Sequence, residues 1–222
     1  MAVTYGPSKI LAQGLLVDLD AYTTTSYPGS GSTWYDLSGN GNNATLSNAP
    51  TYSSGALTFN GTNQYGDIAS IAGTTGMTAF TTSTFAKITG SNAGATTTLF
   101  SLDYIITGTK FFDNSVFGQA SLVTIGNIAT ETAFTATYGN WYHFVVSWSS
   151  GSTLKLYVNG TLWDASTSTY TGTLNNPSGA TIANYSGYYA PCTLSKIGLW
   201  NVELTPSQIS AYYNAYKGRY GL

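Results

Sequence analysis

The most regular stretch of the chain is WYHFVVSW, residues 141–148, in which Tyr142, Phe144, Val146 and Trp148 fall on one face. A period of two with a wholly apolar face predicts a strand lying against a core. SSGS at 149–152 turns it into TLKLYVNG, where Leu154, Leu156 and Val158 alternate in the same way. Asn159-Gly160 follows, and because both residues tolerate positive φ it is a strong hairpin signal. Residues 141–164 are therefore expected to form a three-stranded meander. Elsewhere, short apolar or alternating runs between turn residues place strands near 15–19, 56–60, 64–68, 78–87, 97–106, 121–128, 180–185 and 193–200. Such spacing is the mark of a sandwich or barrel rather than of strand–helix–strand units.

One helix stands out, in LTPSQISAYYNAYKGRYGL at the end of the chain. Thr205 suits the N-cap, Pro206 the first helical position, and Gln208 completes a capping box. Ile209, Tyr212, Tyr213 and Tyr216 then form an apolar stripe that predicts docking on a sheet over 205–217, with Gly218 closing the helix and Lys217 and Arg219 at its negative end.

Composition narrows the function classes. In 222 residues, 42% are hydrophobic and 14% aromatic, so a sizeable core is available and one domain over 1–222 with an arm at 1–13 is the expected organisation. Only 7% are charged, with 7 Lys and Arg against 9 Asp and Glu, which leaves no basic patch to release counterions from a nucleic acid. Cys192 stands alone, excludes an intramolecular disulfide, and reads as a small buried hydrophobe. MAVTYGPSKILAQG has no basic patch followed by an apolar run, and no window reaches a membrane-spanning length. The expectation is synthesis in the cytoplasm without a signal peptide and no membrane insertion.

Five blocks occur in order: GLLVDLDAY (14–22), SYPGSGSTWYDLSGNGNNATL (26–46), LTFNGTNQY (57–65), NWYHFVVSWSSGSTLKLYVNG (140–160) and KIGLWNVELTPSQISAYYNAYKGRYG (196–221). Together they resemble a laminin-G-like, concanavalin A-like lectin/glucanase domain. The opening, GPSKILAQGLLVDLDA followed by SYPGSGSTWYDLSGNGN, is similar to versions of that domain in tailed-phage virion proteins. The resemblance implies an all-β jelly-roll sandwich of two antiparallel sheets with a short C-terminal helix, and a role in binding or virion structure.

The superfamily also holds glycosidases and lyases. Hydrolysis of a glycosidic bond normally uses two carboxyls, roughly 5 Å apart for retention and 6.5–9.5 Å for inversion. Glu131 and Glu203 are the only glutamates, and the alternating acidic run of the glucanases is missing. Asp18 and Asp20 share a face in LLVDLDAY, but nothing beside them marks an apolar cleft that would raise a pKa, so they read as structural or rim carboxylates. His143, the sole histidine, points away from the apolar face of its strand and reads as a satisfied sheet histidine; with one His and one Cys no zinc site can be assembled. No catalysis is expected.

The loop DLSGNGN after Trp34-Tyr35 begins like a calcium loop, but its twelfth position is Ser47, where an EF-hand needs a bidentate Glu. Asp36 and Asn40 remain candidates for a weak calcium ion, against the reading that they form Asx-turns and that Trp34 anchors the loop in the core. Trp34 and Tyr35, and above all Tyr185, Tyr188 and Tyr189 in NYSGYYA, are candidate sugar-stacking residues; packing or subunit contact is the competing use of the three tyrosines. The triplets at Asn43, Asn60, Asn159 and Asn184 match glycosylation acceptors but imply nothing without a secretory route. The leading expectation is a non-catalytic protein of the virion surface, decorating a capsid or tail, contacting other virion proteins or its own copies and binding a cell-surface glycan. A free lectin is the alternative, and a glycan lyase or hydrolase a remoter one.

Overall fold

The structure, a computed structural model, describes residues 11–90, 97–102, 105–109, 115–122, 126–130, 132–174 and 179–222. In chain order the strands are β1 (Leu15–Asp20), β2 (Thr33–Trp34), β3 (Ala44–Ser47), β4 (Thr51–Ser53), β5 (Ala56–Asn60), β6 (Tyr65–Ile68), β7 (Ala79–Ile88), β8 (Thr97–Leu102), β9 (Ile105–Thr109) and β10 (Ser115–Leu122). They continue as β11 (Gly126–Ala129), β12 (Phe134–Thr135), β13 (Trp141–Ser149), β14 (Lys155–Val158), β15 (Thr161–Ala165), β16 (Ala180–Ile182), β17 (Asn184–Tyr185), β18 (Tyr188–Tyr189) and β19 (Pro191–Trp200), followed by α1 (Pro206–Tyr216). One antiparallel sheet runs β15-β14-β13-β7-β19-β5-β4, with β1 also paired to β19; the second runs β11-β10-β9-β8-β16-β6-β3-β2, with β12 on β10.

The core lies between the two sheets. Phe80, Phe144, Val146, Trp148 and Ile197 from the first meet Trp34, Leu46, Ile68, Phe100 and Ile182 from the second in one buried cluster. The alternation of β13 therefore does what its period dictates, and β13, β14 and β15 form the expected meander. Asn159 and Gly160 both take positive φ, at 50° and 75°, in the turn between β14 and β15. Three expected strands divide differently. Residues 97–106 are two paired strands, β8 and β9; 121–128 spans the end of β10 and the start of β11, with 123–125 outside the described residues; and 180–185 breaks at Ala183, whose φ is 56°. The sandwich also contains β2, β3, β4 and β12, each of two to four residues and too short for an alternation to read.

The outer face of the first sheet is covered as well. Phe85, Val145, Tyr157 and Trp200 on its strands pack with Ile209, Tyr212 and Tyr216 of α1 in a second buried cluster, with Tyr213 partly buried against it. Burying an aliphatic side chain such as Ile209 contributes about 1.5–3 kcal/mol. The helix starts at the capping box: Gln208 N donates to Thr205 Oγ1 at 3.3 Å, and Thr205 N donates to Gln208 Oε1 at 2.8 Å. Its end differs from expectation. Gly218 does not adopt a left-handed cap; Lys217–Arg219 form a 3₁₀ turn, and Arg219 is carried back onto the sheet instead of lying at the helix end. Among the described residues no helix is long and apolar enough to cross a membrane.

Candidate functional site

A separate two-stranded sheet, the hairpin of β17 and β18, follows β16 directly in the chain. Asn184 pairs with Tyr189 and Tyr185 with Tyr188. Ser186 and Gly187 connect them with φ of 52° and 86°, the positive values of a type I′ turn, whose twist suits a two-residue hairpin. The hairpin is tied down at its root, where Thr98 Oγ1 and Thr181 Oγ1 both donate to the Asn184 carbonyl, at 2.7 and 2.6 Å, and Gly187 N donates to Asn184 Oδ1 at 3.2 Å. The outcome is a tyrosine platform on a fixed base: Tyr188 is 50% exposed, Tyr185 and Tyr189 are half-buried, and Tyr65 of β6 lies 5.9 Å from Tyr189, ring to ring. Tyr65 was not among the sequence candidates, because only the β6–β16 pairing brings it near. A tyrosine offers both an apolar face and a hydroxyl, the pairing a sugar ring needs.

The other two stacking candidates sit elsewhere. Trp34 is fully buried in the core, so the sugar-binding expectation for it is corrected: its indole is an internal anchor. Tyr35 is 46% exposed, but it follows the edge strand β2, which β3 and β6 separate from β16.

Asp36 and Asn40 are engaged within the chain. Asp36 Oδ1 accepts from the amides of Asp18 and Ser38, at 2.8 and 2.9 Å, and Oδ2 from Ser38 Oγ and the Asn42 amide, at 2.6 and 3.0 Å. Asn40 Nδ2 donates to the carbonyls of Leu15 and Leu16 at 2.9 and 3.2 Å. Four donors on one carboxylate, and an amide directed at the carbonyls a cation would otherwise use, make this loop a set of Asx-turns clamped onto β1. Among the described residues no cluster of three His, Cys, Asp or Glu side chains has metal-binding geometry.

The carboxylates considered for catalysis lie under α1. Asp18 and Asp20 are 6% and 3% exposed and share the ammonium of Lys196, whose Nζ is 2.5 Å from Asp18 Oδ1 and 3.3 Å from Asp20 Oδ2. Arg219 Nη1 donates to Asp20 Oδ2 at 2.8 Å. A bulge at Ser195 breaks the alternation of β19, placing Leu194 and Ile197 in the core and Lys196 on the outer face opposite Asp20. Burial disfavours the Lys196 charge, but Tyr212 and the two carboxylates outweigh it and raise its pKa well above the ordinary lysine value. Glu203 binds Lys155 at 2.7 Å and accepts from Ser149 Oγ; Glu131 lies outside the described residues.

His143 is fully buried between β13 and α1, with Nε2 2.9 Å from Ser83 Oγ and Nδ1 unpartnered. The expectation of a satisfied histidine holds for one ring nitrogen only. Its pKa falls to about 3 through burial, and Ser83 is itself 3% exposed. Among the described residues no acid meets the free Nδ1, and both side chains are enclosed, so the contact has neither the orienting group nor the exposure of a Ser–His nucleophilic pair. Burial likewise pushes the Cys192 thiol far above its ordinary pKa, as suits a core residue.

Among solved structures, the chain superposes on the binding domain of botulinum neurotoxin DC in complex with rat synaptotagmin II (TM-score 0.70, 12% identity, 92% of this chain and 52% of that one). It also superposes on a structure of botulinum neurotoxin type C, which depends on two ganglioside molecules to enter cells (TM-score 0.68, 11% identity, 91% and 51%). A third match is Trypanosoma rangeli sialidase in complex with sialic acid (TM-score 0.63, 18% identity, 92% and 33%). At these identities the likeness is one of fold, and the chain spans about half or a third of each. In sequence, 127 residues, 53% of the chain, are 30% identical to the human adhesion G-protein coupled receptor D1, covering 14% of that receptor. The family described as the concanavalin A-like lectin/glucanases superfamily (Laminin_G_3) matches residues 60–210, from the end of β5 into α1. The two antiparallel sheets and this match together make the chain a member of the concanavalin A-like lectin/glucanase superfamily, with a laminin-G-like jelly-roll sandwich.

Proposed function

We propose that the chain is a non-catalytic glycan-binding module that holds a saccharide on the tyrosines of the β17–β18 hairpin. The observation that carries this reading is the presentation of Tyr185, Tyr188 and Tyr189 on a two-residue turn braced at Asn184 by two threonine hydroxyls. A rigid base lowers the entropy lost when a flat aromatic face meets a ligand. Saccharide recognition by other proteins of this fold, the ganglioside-dependent neurotoxin and the sialidase seen with sialic acid, supports the reading. A binding role without hydrolysis is supported by the carboxylates: Asp18 and Asp20 share the buried ammonium of Lys196, and the partly exposed Glu203 is paired with Lys155, so none of the three faces a second carboxyl across a cleft.

The proposed setting is a virion surface, on the strength of the opening segment's resemblance to phage virion proteins; many copies there would turn weak sugar binding into avidity. Absence of the chain from purified particles by mass spectrometry would remove that setting and leave a free lectin. For the module itself, a glycan array is the test. The wild type is expected to bind in the presence of EDTA, since the Asp36 loop is held by hydrogen bonds, and Tyr188→Ala to weaken binding by about tenfold or more, a loss of roughly 1–2 kcal/mol. Equal binding by Tyr188→Ala rejects the hairpin as the site, and loss of binding in EDTA restores a calcium role.

A further inference from the structure

We infer a second saccharide site, on the first sheet, selective for sugars that carry a carboxylate. It is a groove of about 310 Å³ at the edge of the C-terminal segment, lined by Tyr22, Thr58, Lys87, Trp141, Thr193 and Arg219 among others. Nothing in the hairpin reading requires it, since it uses different residues on a different sheet.

The first argument is charge. The chain has 7 Lys and Arg in all, and two of them line this one groove. Lys155 and Lys196 are neutralised by Glu203 and by Asp18 and Asp20. Lys87 has no carboxylate partner among the described residues; its Nζ lies 4.9 Å over the Trp141 ring. Arg219 is stacked similarly, its Cζ 4.8 Å from the Tyr22 ring and 4.7 Å from that of Tyr216. Aromatic stacking positions a cation without cancelling its charge. Arg219 does meet Asp20, but that carboxylate also faces Lys196. Two carboxylates, Asp18 and Asp20, against two cations, Lys196 and Arg219, close that cluster at zero, which leaves the charge of Lys87 uncompensated at the groove.

The second argument is the shape and chemistry of the lining. Arg219 uses Nη1 on Asp20, and a guanidinium presents five N–H donors in a planar fork, matched to the two oxygens of a carboxylate. Lys87 adds a point charge. Beside them the hydroxyls of Thr58 and Thr193, 2.9 Å apart, offer donors and acceptors of the kind that exchange hydrogen bonds with sugar hydroxyls, and Tyr22 is 54% exposed. A few convergent polar groups set between aromatic walls are the usual makeup of a small-ligand site. An anion that is also a polyol satisfies both halves of this lining: a uronic or sialic acid.

Isothermal titration calorimetry with glucuronic acid and with N-acetylneuraminic acid, each against its neutral methyl ester, tests the inference and separates the two sources of the carboxylate. The wild type is expected to prefer at least one acid over its ester by about tenfold, with the preference shrinking as salt is raised, because the groove is open to solvent and screened. Lys87→Gln is expected to abolish the preference, Lys87→Arg to retain it, and Tyr188→Ala to leave it unchanged, which separates this site from the hairpin. Lys87 sits half-buried on the rim of the sheet, so an unchanged melting temperature for Lys87→Gln will confirm that the fold is intact. Equal affinity for acid and ester, an undiminished preference in Lys87→Gln, or no heat from either acid at about 10 mM would each overturn the inference.

Discussion

His143 shows how a single side chain can tie the stability of this fold to pH. It stacks on Phe85 with ring centroids 4.3 Å apart and on Tyr213 at 5.9 Å, fully enclosed by the sheet and α1, and desolvation lowers its pKa from 6.5 to about 3. Because the unfolded chain binds the imidazole proton more readily than the folded one, this group favours folding above pH 6.5, and that contribution is lost as pH falls from 6.5 toward 3. The slope is about 1.4 kcal/mol per pH unit within that window. Urea denaturation at pH 7 and pH 5 should find wild type about 2 kcal/mol less stable at the lower pH, and a His143→Phe variant should lose most of that difference. An equal pH dependence in the variant would assign the effect to other groups. In the sequence His143 was legible as a residue facing away from the core side of β13. Its enclosure was not, because the face it points to is closed by residues some seventy positions later, Tyr212 and Tyr213.

At the scale of elements, the decisive feature is the clamp between β1, β19 and the C-terminal turn. Asp18 and Asp20 come from β1, Lys196 from the bulged part of β19 and Arg219 from the 3₁₀ turn, so four charges join three segments beneath α1. A buried ion cluster of this kind adds little relative to a well-packed apolar one, but removing one member leaves its partners uncompensated, at a cost of about 3–5 kcal/mol. Lys196→Met is therefore expected to lower unfolding free energy by that amount in thermal or chemical denaturation. A loss under about 1 kcal/mol would mean that the two aspartates find other partners or protons. The elements themselves were unequally legible. The β13–β15 meander and the capped helix follow from strong periodicity and explicit start signals, Asn159-Gly160 and Thr205-Pro206-Ser207-Gln208. The clamp does not, since its partners are 176 to 199 residues apart and a one-residue bulge at Ser195 decides which way Lys196 faces. Asp36 falls between these cases: its loop composition suggested Asx-turns, while the amide of Asp18 that it accepts from belongs to β1, eighteen residues earlier.

For the whole molecule, two layers bury one core, and the C-terminal helix buries a second cluster on the outside of the first sheet. Among the described residues, two of the regions open to solvent are the β17–β18 hairpin and the groove beside Tyr22 and Trp141, and these are the two proposed for recognition. The tyrosines of the hairpin were visible as a cluster in NYSGYYA, but Trp34 was equally aromatic in the sequence and proved to be core, because exposure is set by the pairing of whole strands and not by neighbours in the chain. A platform of this kind should bind and release its ligand unchanged. The most direct test is an NMR titration of isotopically labelled chain with an array-selected neutral saccharide, following backbone amide shifts and the anomeric signals of the sugar in the same tube. The account predicts shifts centred on Tyr185, Tyr188 and Tyr189 with the saccharide intact after prolonged incubation. Shifts centred on Asp18 and Asp20, or the appearance of cleaved sugar, would contradict it.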